Sequence, residues 1–217
     1  MKIEIIEQLQ AAGAYLFDNA LTWGSSGNIS ARTSAGSFLI TASGTHLGEL
    51  MDTDFLECNL DGVLVRGIGK PSIEVPFHRA VYQDRPDVNA VLHASPFYST
   101  LIACSDVDIP NDLFAEAVYY LERVVRVDFL YPGSTELAES VRKGVAHANV
   151  LILNNHGVLV VDESIKEAVA ALHTLEVVCR MLVLSRSAGI SLVSLPGNTL
   201  TDLLDKAVYR PRRKWAD

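Results

Sequence analysis

At 217 residues the chain lies just above the usual single-domain range, and 49% hydrophobic against 20% charged residues supplies a large core and excludes a disordered chain. A formal net charge of −8 excludes a surface built for nucleic acid or for an anionic membrane, because either partner is met with an excess of Lys and Arg. A small polar substrate needs no such excess.

Residues 3–21 place Ile6, Leu9, Gly13, Leu16, Phe17 and Ala20 at helical spacing, with Glu4, Gln8, Asp18 and Asn19 opposite, which predicts an amphipathic opening helix. Glu4 and Glu7 interrupt what a signal peptide would need as an apolar stretch, no run is read as long enough to span a bilayer, and the cytoplasm is the expected compartment. Trp23-Gly24-Ser25-Ser26-Gly27-Asn28 cannot continue the helix and reads as a loop. Strands are then predicted at 37–41, 63–65, 88–93, 124–129 and 150–153, and helices at 75–84, 134–146 and 164–188. Strands alternating irregularly with helices predict an α/β sandwich with a mixed sheet, here as one domain over residues 1–217. Cys58, Cys104 and Cys179 are odd in number, far apart and set among apolar neighbours, so all three read as reduced core residues. Residues 209–217 form the one concentrated basic cluster, either a solvated tail or a segment folded over an active site to meet an anionic substrate.

Three polar residues stand where apolar strands end or a helix begins. His93 closes the strand 88–93, His156 follows strand 150–153 after two asparagines, and Glu74 follows the turn Gly69-Lys70-Pro71-Ser72. Strand ends are where α/β sheets place their sites, and two imidazoles with a carboxylate supply ligands for Zn²⁺, Mn²⁺ or Fe²⁺. Asn154 and Asn155 either orient His156 or merely end the strand. Gly67-Ile68-Gly69-Lys70 lacks the spacing of a phosphate loop and reads as a turn.

Ser26-Gly27-Asn28-Ile29-Ser30, Ile40-Thr41-Ala42-Ser43-Gly44, Pro71-Ser72-Ile73-Glu74, the stretch from Arg85 to His93, and Asn155-His156-Gly157 occur in an order that resembles the class II aldolase/adducin family, over roughly residues 5–190. The resemblance implies a three-layer α/β/α sandwich with a mixed central sheet, a cyclic homotetramer with sites between neighbours, and a divalent metal held by three histidines, two of them in an H-x-H pair. It also implies a glutamate acid/base, which falls on Glu74, and an anion pocket made of Gly27, Asn28, Ser43, Gly44 and Ser72. Glu116, Tyr119 and Tyr120 lie where family members often place a residue that reaches a neighbouring site. The metal ligands carried over are His93, His156 and the position of Ser95, where the second histidine of the pair has become a hydroxyl. Glu74 then stays bound to give a two-His, one-carboxylate site, or Ser95 holds a water in the gap, or metal binding is lost; the first is favoured because that ligand set is already competent. Zn is the family's metal, with Mn, Fe or Co open to the changed ligand set. His46 and His78 are candidate replacements for the missing ligand, His78 standing one helical turn beyond Glu74. The second serine of the family's Ser-Ser-Glu has become Ile73, which removes one hydroxyl from the phosphate pocket and makes a carboxylate, or an aromatic acid resting against Ile73, more plausible.

The expected activity is a metal-dependent carbon–carbon lyase acting on a small hydroxy-carbonyl or sugar-phosphate-like substrate through a metal-stabilised enediolate. Decarboxylation of a hydroxy-acid or aromatic acid shares that intermediate and is the alternative within the same site. A non-catalytic, adducin-like binding module is the alternative of another class, disfavoured by Glu74, His93 and His156 standing together.

Overall fold

The computed structural model describes residues 2–206 together with Arg213 and Trp215. In chain order the elements are α1 (Lys2–Asp18), β1 (Asn28–Ser34), β2 (Ser37–Thr41), β3 (Phe55–Asn59), β4 (Leu64–Arg66), α2 (Val75–Asp84), β5 (Ala90–Ala94), α3 (Phe97–Ala103), α4 (Ala115–Tyr120), β6 (Val124–Val127), α5 (Thr135–Val145), β7 (Val150–Leu153), β8 (Gly157–Asp162), α6 (Ile165–Ala188) and α7 (Gly197–Asp205). The strands form one sheet in the order β4-β3-β2-β1-β5-β8-β7-β6. Every pair is antiparallel except β6 with β7, so the sheet is mixed as expected.

Alternation of side chains along each strand divides the core in two. Ile29, Leu92 and Val160 face α1, α3, α4 and α6, where they meet Leu9, Leu16, Ile102, Ala117, Leu172 and Leu175. Val91, Leu159 and Val161 face α2 and α5, where they meet Phe77, Val81, Leu137 and Val141. The result is the expected α/β/α sandwich.

Local chemistry sets the helix ends. The Ser134 and Ser164 hydroxyls accept from the Leu137 and Glu167 N–H groups to cap α5 and α6, and Gly189, at φ +68°, closes α6 in the left-handed conformation. At 24 residues α6 is long and apolar enough to cross a membrane, which differs from the expectation that no run is. Its apolar side is buried in the first core, against β5 and β8. The core expectation for the cysteines holds for Cys58 and Cys179, but Cys104 is exposed because it caps the short α3 at the surface.

Candidate metal centre

The sheet's geometry gathers the polar residues at one end. β5 and β1 run antiparallel with His93 opposite Asn28, and β8 runs antiparallel to β5 with Val158 opposite Ala94, so the end of β5, the start of β1 and the β7–β8 turn share an edge. Glu74 is the N-cap residue of α2, followed by Pro76 in the first turn, which delivers its carboxylate to the same edge. Two glycines permit the approach. A Cβ on Gly27, at φ +82°, would lie 2.5 Å from the His93 carbonyl oxygen, and one on Gly157 would lie 2.6 Å from that of Ala94 and 3.0 Å from Ser95 Oγ.

Glu74 is buried between the two imidazoles: its Oε2 lies 3.3 Å from His93 Nε2 and its Oε1 lies 3.3 Å from His156 Nε2. The His93 ring donates from Nδ1 to the Val158 carbonyl at 3.0 Å, so the neutral form of the ring points its Nε2 lone pair at a carboxylate oxygen. Two acceptors face each other, and a cation between them relieves the repulsion. His156 is a neutral ring at neutral pH, because burial, and then the neighbouring His93, push its pKa down to about 4 against the pull of Glu74. Glu74 Oε1 and His156 Nδ1 are buried without a hydrogen-bond partner among the described residues. One donor atom from each of Glu74, His93 and His156 lies within 4.8 Å of the others. Two ligand atoms each about 2.1 Å from one ion at the tetrahedral angle lie roughly 3.4 Å apart, so the 3.3 Å spacings suit a metal ion.

Ser95 is buried beside Gly157 and lines a cavity of about 490 Å³ with Trp23, Phe97, Thr100, Leu101 and Cys104. His46 is exposed and outside the cluster, and His78 has both ring nitrogens hydrogen-bonded, so neither replaces the missing histidine. Ser43, Gly44 and Ser72 are brought together by an Ala42–Pro71 bridge and a Ser43 N–H bond to the Lys70 carbonyl. Ser72 Oγ accepts from the Glu74 N–H at 3.2 Å. Gly27 lies beside His93 as described, whereas the Asn28 amide is engaged within the protein, donating to Glu74 Oε2 at 2.8 Å and meeting His78 Nε2 at 2.6 Å. Asn154 and Asn155 end the strand: Asn154 Oδ1 accepts from Arg126, and Asn155 adopts φ +55°. Arg213 and Trp215 dock at the opposite end of β8, where Arg213 pairs with Asp162 at 2.7 Å, so the described tail residues do not cover the centre in this chain; the rest of 209–217 lies outside the described residues. The link from Glu74 through Asn28 to His78 is the feature that motif reading missed, although the four-residue spacing of Glu74 and His78 was its signal.

Residues 7–183 match the profile of the Class II Aldolase and Adducin N-terminal domain. The chain belongs to the class II aldolase/adducin family. Among its relatives is the L-fuculose phosphate aldolase of Methanocaldococcus jannaschii, 32% identical over 170 residues that cover 78% of this chain and 91% of that protein. The 3-oxo-tetronate 4-phosphate decarboxylase of Haemophilus influenzae is 31% identical over 169 residues, covering 76% and 79%. Of solved class II aldolase-like structures, YgbL from Klebsiella pneumoniae superposes with a TM-score of 0.86 at 28% identity, covering 94% of this chain and 99% of that one. L-fuculose-1-phosphate aldolase from Thermus thermophilus gives a TM-score of 0.76 at 28% identity, covering 88% and 98%. The family's relatives thus include both aldolases and decarboxylases, and the family's metal requirement agrees with the donor set assembled at Glu74, His93 and His156.

Proposed function

We propose that this class II aldolase family member is a metal-dependent carbon–carbon lyase that cleaves a small phosphorylated hydroxy-carbonyl compound. The observation that carries the reading is the Glu74 carboxylate set 3.3 Å from each of two imidazole Nε2 atoms, the His93 ring being oriented by its Nδ1 bond to the Val158 carbonyl. Glu74, His93 and His156 would hold a divalent cation, and Ser95, beside Gly157, is the residue that would supply a further ligand or hold its water. Such an ion, when bound, draws off the negative charge left on a carbonyl oxygen as the adjacent carbon–carbon bond breaks.

The chain's own groups do the rest. Glu74 Oε1, which has no hydrogen-bond partner among the described residues, is the atom placed to take the hydroxyl proton whose loss starts a retro-aldol cleavage and to return it to the carbon left behind. The turns at Ser43-Gly44 and at Ser72 offer hydroxyl and backbone N–H groups to a phosphate or carboxylate. An apolar cavity lies beside Ser95 on the same flank. The same reading includes assembly of identical copies around the site, supported by the exposed Trp23, Phe97 and Leu101 beside Ser95.

Decarboxylation is the second reading. It is favoured by the 31% identity to the 3-oxo-tetronate 4-phosphate decarboxylase and by the exposed Ile73 in the anion turn. Both reactions leave an electron pair on a carbon next to a carbonyl, so the site geometry serves either. The test offers zinc-loaded and EDTA-stripped protein L-fuculose 1-phosphate and 3-oxo-tetronate 4-phosphate, measuring aldehyde release for the first and CO₂ for the second. Metal-dependent release of aldehyde supports the aldolase, and release of CO₂ supports the decarboxylase. No metal retained and no turnover of either would leave the binding module standing.

A further inference from the structure

We propose that His78 and Asn28 are positioning residues that fix the Glu74 carboxylate, assigning Oε2 to anchorage and Oε1 to chemistry. The strand β1 presents Asn28, Ser30 and Arg32 on one face at every second residue, and α2 presents Glu74, His78 and Tyr82 at every fourth. Two strand residues advance about 6.8 Å and four helical residues about 6.0 Å, so the two rows stay nearly in step and interleave. Asn28 Nδ2 meets Glu74 Oε2 at 2.8 Å, and Asn28 Oδ1 meets His78 Nε2 at 2.6 Å. His78 Nδ1 meets Ser30 Oγ at 2.7 Å, and Ser30 Oγ meets the Tyr82 hydroxyl at 2.8 Å. All five side chains are buried.

The direction of each bond follows from the first. An ionised carboxylate only accepts, so Asn28 turns its N–H₂ toward Glu74 and its oxygen toward His78. His78 Nε2 therefore carries the proton, and Nδ1 accepts from the Ser30 hydroxyl, which in turn accepts from Tyr82. Burial, and then His93, hold the His78 pKa well below its ordinary value, in keeping with a neutral ring that has one donor and one acceptor nitrogen. The Asn28 amide passes no proton along this chain, so the chain orients Glu74 without draining it. With Oε2 held by the Asn28 amide, the carboxylate is kept from turning, and Oε1 stays at the position facing His156.

The assignment of chemistry to Oε1 rests on the proposed lyase reading, whereas the bond directions do not. The experiment has two arms. In metal-free, ¹⁵N-histidine-labelled wild-type protein, nitrogen chemical shifts are expected to show His78 protonated at Nε2. Protonation at Nδ1 would reverse every bond in the row and overturn the proposal, and this arm needs no variant to fold. In the second arm Co²⁺ is the probe, read by its visible absorption. His78→Leu is expected to weaken Co²⁺ binding by about ten- to a hundredfold, while His78→Gln, whose amide N–H reaches the place of Nε2, stays within about threefold of wild type. Equal losses in the two variants, or no loss in either, would make His78 a packing residue and sink the idea. Wild-type protein that shows the Nε2 proton but binds no Co²⁺ would refute the lyase reading and leave the bond directions intact.

Discussion

At the scale of single residues, close approach is what the centre depends on most. A methyl group on Gly157 would press on the Ala94 carbonyl and on Ser95 Oγ, both attached to backbone that cannot easily yield. Gly157→Ala should cost about 1–3 kcal/mol of stability by urea denaturation and weaken zinc binding at least tenfold by calorimetry, because the turn carrying His156 must shift. Protons give a second handle. The native state holds His78 and His156 neutral at pH values where the unfolded chain takes up a proton on each, since both folded pKa values lie below the ordinary 6.5. Stability of the metal-free protein should therefore fall as the pH drops through about 6.5, and keep falling toward the pKa of about 4 at His156. A denaturation midpoint at pH 5 equal to that at pH 7.5 would contradict this. Thiols provide a third check: Cys58 and Cys179 should resist alkylation in the native protein and react only on unfolding, because both are buried and burial pushes the Cys179 thiol up to about 12.

Elements show why some of the fold could be read from sequence and some could not. The helix at 75–84 and the strands at 37–41 and 150–153 emerge with their predicted limits, because apolar periodicity, Pro76 and flanking turns all agree there. Of β1 only Asn28 falls in a predicted element, the loop at 23–28, since the face the strand turns toward α2 carries Asn28, Ser30 and Arg32 and gives no hydrophobic signal. β3 hides in the same way: Glu57 is buried on it, bonded by Thr33 and Ser37, where pattern rules expect an apolar side chain. Short α3 lacks enough turns to show a period, and its start is fixed from outside by Glu176 of α6, which accepts from the N–H groups of Tyr98 and Ser99 and from the Ser99 hydroxyl. Glu176→Ala should therefore lower stability by about 2–3 kcal/mol in urea, since two backbone donors lose their partner in a buried setting. The site was legible as Glu74, His93 and His156 because each is a polar residue at the end of an apolar run. Its supporting row was not, because hydrogen bonds between β1 and α2 join residues 46–52 positions apart.

For the whole molecule, the register of the sheet brings the donors to one edge. Zinc at about a hundred times its dissociation constant should add roughly 2.7 kcal/mol to the EDTA-treated protein, a rise of about 5–10 °C in Tm for a chain of this size, and His93→Ala should abolish the shift. The donors come from residues 74, 93 and 156, and strand register, the Val158 carbonyl and the Asn28 amide set them at 3.3 Å spacings. Zinc-finger domains instead gain their shape from the cation and collapse without it. Here the socket is built by the backbone, so a chelator should empty it and a different divalent ion should refill it while the fold stays native. A socket of that kind would let one divalent ion replace another without refolding.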